Sequence, residues 1–127
     1  MDADSMGMDL EIQEIKNDGG SEKERVLILA LNDCNTENYI LFDTTYTDDG
    51  EVSNELRHSF FFPDLEIQEG EIVVVYTKKG TYKRHVSSIG TVYHRLFWGL
   101  EDAIWNDEED WALLVKVSGC STKHVGE

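Results

Sequence analysis

Leu96-Phe97-Trp98-Gly99-Leu100, then Ile104-Trp105-Asn106, then Trp111-Ala112-Leu113-Leu114-Val115 hold all three tryptophans of the chain. The spacing is too tight for an ordinary pair of strands. It reads as an aromatic-rich loop folded onto a core and running into a final strand. In that strand Trp111, Leu113, Val115 and Val117 share one face by alternation, with Lys116 and Ser118 on the other. Phe60, Phe62, Trp98, Leu100, Trp105 and Trp111 are expected in the core, where large aromatics dominate the energetics of a small domain. Gly99 is expected to allow a backbone conformation or a close approach that a β-carbon would block. Asn106 is expected to bond loop amides, as asparagine side chains do in turns.

Outward from this stretch the period is two, not 3.6. Leu10 and Ile12 alternate with Glu11 and Gln13, and Ile15 breaks the phase, which places a bulge or strand end near Glu14. Residues 17–21 are a turn cluster. Residues 26–31 are a continuous apolar run, as in a strand covered on both sides. Residues 32–35 read as a loop, residues 39–46 as a β-branched and aromatic strand, residues 47–50 as a turn and residues 51–55 as loop. Pro63 must end regular pairing after Phe60-Phe61-Phe62. Ile72-Val73-Val74-Val75-Tyr76 is the strongest central strand, closed by Lys78-Lys79-Gly80. Many short strands with frequent turns predict an all-β sandwich.

The order of these motifs resembles the lamin-tail family, an immunoglobulin-like β-sandwich. Residues 10–15 and 26–33 look like its first strands, and residues 39–43 like its aromatic strand with an acidic end. Phe60-Phe61-Phe62-Pro63-Asp64 resembles its Phe-x-Phe-Pro element. Glu69-Gly70 precedes the Val-rich strand where the family has Pro-Gly. Trp98-Gly99-Leu100, Trp105-Asn106 and the strand from Trp111 are similar to its closing signature. Asp107-Glu108-Glu109-Asp110 stands where the family has a glycine-containing turn, and no coiled-coil heptads precede the domain, so filament assembly does not carry over. The resemblance implies one domain over residues 9–120; the residues outside it read as a disordered acidic leader over 1–8 and a tail or short edge strand over 121–127. It implies a non-catalytic interaction module.

Composition bounds the function. A net charge of −15 disfavours non-specific attraction to nucleic-acid phosphates or anionic lipid and favours basic partners, though solubility alone or a salt-adapted source is the simpler account. No run of 18 apolar residues exists, and the N-terminus lacks the basic and apolar regions of a secretory signal, so a cytoplasmic location is expected. Cys34 and Cys120 read as free thiols in a reduced compartment, with a single long-range disulfide as the alternative.

Two charged segments stand out. Residues 78–95 carry five basic side chains and no acidic one: Lys78, Lys79, Lys83, Arg84 and Arg95, interleaved with Tyr82, Tyr93, His85 and His94. Lys78, Lys79, Tyr82, Lys83, Arg84 and Arg95 are the expected protein contact. The alternative is an accessory role on nucleic acid, since basic groups among aromatics grip phosphates and stack on bases. Asp107, Glu108 and Asp110 are a candidate calcium site in an accessory domain of a hydrolase. They lack the alternating ligands and glycine of a calcium loop, and a solvated acidic loop is the simpler reading. No catalytic template is present, the four histidines show no ligand spacing, and no cofactor is expected.

Overall fold

Alternation in the N-terminal third builds the first sheet. In the computed structural model, described over residues 7–17, 20–45, 57–105 and 110–126, β1 (Leu10–Lys16) pairs antiparallel with β2 (Arg25–Ala30). The ladder is irregular between Ile12 and Glu14, where the sequence breaks phase. β2 pairs in turn with β7 (Ile72–Tyr76), which lies parallel to β9 (Val92–Phe97). β8 (Lys83–Val86) pairs antiparallel with β9, giving the order β1-β2-β7-β9-β8. Parallel neighbours need a long crossover, and residues 77–91, which include β8, supply it. β7 is central, as its valine run requires: Val73, Val74 and Val75 are all buried.

A second sheet places β4 (Tyr39–Thr45) between β10 (Asp110–Lys116) and β5 (His58–Phe61), both antiparallel to it. Residues 32–35, expected as a plain loop, contain the two-residue strand β3 (Cys34–Asn35), paired with β6 (Glu66–Ile67). Thr36 Oγ1 donates to the Pro63 carbonyl at 2.6 Å and fastens this connection to the chain end of β5. The only helical elements among the described residues are two single 3-10 turns, Gly20–Glu22 and Thr36–Asn38. The fold is therefore all-β with one mixed sheet.

One apolar core joins the sheets. It contains Leu10, Val26, Ile28, Val73, Val75 and Leu96 from the first, and Tyr39 and Leu41 from the second. Phe62, Ile104 and Trp105 close it. Phe60, Trp98 and Leu100, expected in the core, are half-buried and pack against it. Phe60 meets Phe62 edge-on at 5.0 Å and Trp98 at 5.6 Å, and Trp98 meets Trp105 at 5.7 Å. Such offset ring pairs add to what burial alone contributes. Gly99 has φ +90° with open space where a Cβ would sit, so conformation and not close approach requires glycine there.

The aromatic loop is anchored by a residue without any sequence signal. Glu24 is 1% exposed, and its carboxyl accepts from Thr77 Oγ1 (2.6 Å), Ile104 N (2.8 Å) and Trp105 N (3.0 Å). Upstream, the Leu100 and Gly99 amides bond the carbonyls of Thr77 and Lys78, beyond the end of β7. A buried polar group is tolerable only when satisfied, and this one is satisfied by the loop it holds.

Several expectations need correction. Leu96 and Phe97 are not loop but the end of β9. In β10 the phase is opposite to the expected one. Leu114 pairs with the fully buried Leu41 and Ala112 with buried Asp43, so Ala112 and Leu114 face the core. Trp111 is consequently 40% exposed, and its backbone carbonyl accepts from Trp105 Nε1 at 3.2 Å. No edge strand forms near His124 and Val125 among the described residues. Of the acidic leader, Met8 packs against the core and the Gly7 carbonyl accepts from Lys116 Nζ. Tyr46, the turn at 47–50, the loop at 51–55 and Asn106 lie outside the described residues.

Candidate binding surface

The pleat sorts the basic segment into two faces. Along β9, His94 and Leu96 point inward, each 4% exposed, which turns Tyr93, Arg95 and Phe97 outward. β8 follows in register: Lys83 faces Arg95, Arg84 faces His94, His85 faces Tyr93 and Val86 faces Val92. The outer face of the first sheet thus carries the rows Lys83–Arg95–Val74–Leu27 and His85–Tyr93–Ile72–Leu29. A third row runs Arg25–Tyr76–Phe97, where the two rings stack at 5.2 Å and 14°. Lys78 Nζ sits 5.6 Å from the Tyr76 ring centroid. The Phe97 ring lies against Gly80, where a side chain would collide with it.

Lys83 and Arg95 are the notable pair. Like charges directly opposite across a ladder destabilise it, and neither residue forms an ion pair with a described residue. This occurs in a chain with 26 acidic side chains. The other expected contact residues are committed elsewhere. Lys78 lies 3.8 Å from Glu22 and Lys79 3.8 Å from Glu101, both exposed pairs of small energetic weight. Arg84 is on the opposite face of β8, where its charge acts on Glu71.

Tyr82, though 44% exposed, is tied to His94. Its hydroxyl lies 2.8 Å from His94 Nδ1, the two rings stack at 6.1 Å, and His94 Nε2 lies 2.8 Å from Glu71 Oε1. Burial acts to raise the Glu71 pKa, but donation from the Gln68 amide and the His94 ring outweighs it and holds the carboxyl below its ordinary value. The six residues therefore do not form one loop surface. Lys83 and Arg95 come together, joined by His85 and Tyr93. Arg25 and Tyr76, from β2 and β7, extend the face and could be found only through strand register.

Of the expected metal site, Asp107 and Glu108 lie outside the described residues. Asp110 is bound by Arg57 at 3.2 Å, its side chain only 7% exposed. Among the described residues no three His, Cys, Asp or Glu side chains are grouped to hold a metal ion. A separate cleft of about 570 Å3 is lined by Asp43, Arg57, His58 and residues 99–104. Buried Asp43 accepts from the His58 amide at 2.7 Å and lies 3.1 Å from His58 Nδ1, which orients that ring. Both cysteines are free, and burial, reinforced by Asp9, pushes the Cys34 thiol up to about 11. It stays protonated near neutrality and is a poor nucleophile.

No helix among the described residues is long and apolar enough to cross a membrane. Comparison with protein-family models, with curated proteins and with solved structures finds no match to this chain in any of the three.

Proposed function

We propose that this chain is a non-catalytic contact module of the immunoglobulin-like, lamin-tail type. In this reading it docks an acidic segment of another protein on the outer corner formed by β8 and β9. The fold part of the reading is supported by the packing of its motifs: Phe60, Phe62, Trp98 and Trp105 form one chain of ring contacts around a core shared by two sheets. The docking part rests on one observation, the Lys83–Arg95 pair that opposes two cations with no ion-paired carboxylate among the described residues. Such a pair costs folding stability, and an anionic partner is what offsets the cost. Tyr93 and His85 in the adjoining row add ring surface to the charge.

The test is a Glu-rich synthetic peptide titrated against the full chain and against Lys83→Glu. The wild type binds with an affinity that falls as salt rises, and the variant loses binding. The same variant places Glu opposite Arg95, so its urea midpoint should equal or slightly exceed that of the wild type, by a few tenths of a kcal/mol. Binding unchanged in Lys83→Glu would remove this corner from the reading.

A further inference from the structure

β8 is more than a carrier of charge: it is the open edge of the five-stranded sheet. All four of its residues are exposed, and β9 is its sole ladder partner among the described residues. Among the described residues no backbone or side-chain group bonds the β8 main chain from its open side. An edge strand with unpaired amides and carbonyls is a template for another strand, and lysine on an edge is a common guard against that. Here the guard is selective. Lys83, Arg84 and His85 are consecutive, so basic groups project from both faces of the edge, and a basic or purely apolar strand is refused. An acidic strand is attracted.

We infer that the acidic segment docks by strand addition, as an extended sixth strand paired to β8. This inference rests on the docking reading above and specifies its geometry. The register of β8 sets the pattern of the partner. A residue opposite Lys83 meets Arg95 behind it on the outer face, and its neighbour meets Arg84 on the other. Both are therefore acidic. The residue opposite Val86 is apolar, packing on Val86 and Val92. The partner motif is two consecutive acidic residues with an apolar residue two positions beyond the second, in a β-prone segment. Main-chain bonds provide affinity in this mode and the alternating side chains provide specificity.

The experiment uses the full chain and fluorescent ten-residue peptides of this pattern, read by anisotropy. Two further peptides carry backbone N-methyl groups on alternate residues, one set in each phase, and a single-stranded oligonucleotide of equal length is the fourth probe. Strand addition predicts that one N-methyl phase binds at least roughly tenfold more weakly while the other is tolerated, since only alternate amides face β8. It also predicts that the amides of Arg84 and Val86, which point to the open edge while those of Lys83 and His85 point to β9, exchange about tenfold more slowly in the complex. Equal binding of both N-methylated peptides, or unprotected β8 amides, overturns strand addition and leaves the docking reading standing. If no peptide binds, both are overturned. Oligonucleotide retention without peptide binding overturns both in favour of a nucleic-acid partner. Self-association of the chain that protects β8 without peptide makes a second copy the occupant and overturns the inference.

Discussion

Replacing Glu24 by alanine should unfasten the tryptophan loop from the sheet. The carboxyl is the acceptor for two backbone amides, Ile104 at 2.8 Å and Trp105 at 3.0 Å, and for the Thr77 hydroxyl. The hydroxyl rotates to a new partner, but the amides are fixed by the backbone. Each buried donor left without a partner costs about 1–3 kcal/mol, so the two together cost about 2–6 kcal/mol. That is a large fraction of the roughly 5–15 kcal/mol available to a domain. Glu24→Gln is not conservative here, because its amide nitrogen would face one of the donors it replaces an acceptor for. It should cost about 1–3 kcal/mol. Thr77→Val leaves the carboxyl and both amides in place and should cost about 1 kcal/mol. Urea unfolding followed by tryptophan fluorescence tests the series, since Trp105 sits on the affected bond. The predicted order of damage is Glu24→Ala, then Glu24→Gln, then Thr77→Val. A Glu24→Ala midpoint equal to that of the wild type would refute the anchoring argument.

The two ends of the tryptophan segment should behave oppositely. Trp105→Ala empties a 2% exposed site and should cost about 3–5 kcal/mol, whereas Trp111→Ala at a 40% exposed site should cost about 1 kcal/mol or less, and equal urea midpoints would contradict the burial pattern. Glu71 titrates below its ordinary value of 4.5 in the folded protein. Its contribution is therefore full above that value and lost as pH falls through the lower folded pKa, so the stability gap between wild type and Glu71→Gln should close below about pH 4.5 in urea melts run between about pH 3 and 7. A gap that widens with acid would show the opposite sign of coupling.

The strands with strong alternation or a valine run were legible in the residues: β1 with its irregular ladder at Glu14, β2, β4 and β7. So was the core role of Phe62 and Trp105, because large aromatics in a small domain have few other places to go. β8 and β9 were not. Lys83-Arg84-His85-Val86 has no apolar face, and it becomes a strand because β9 offers it a ladder. β10 shows the same dependence. Trp111, Leu113 and Val115 make as good an inner face as Ala112 and Leu114, and only pairing with Leu41 and Asp43 of β4 decides between them. A one-residue change of phase moves every side chain to the other side of a sheet, so apolar content alone leaves the choice open. The binding surface has the same history. The residues read in order place five basic side chains in a segment free of carboxylates. Strand register and contacts show that Lys83 and Arg95 face each other while Lys78 and Lys79 are paired, the Tyr82 hydroxyl is held by His94 and Arg84 points away. The physical reason is that charge is carried by residues, but proximity is set by register.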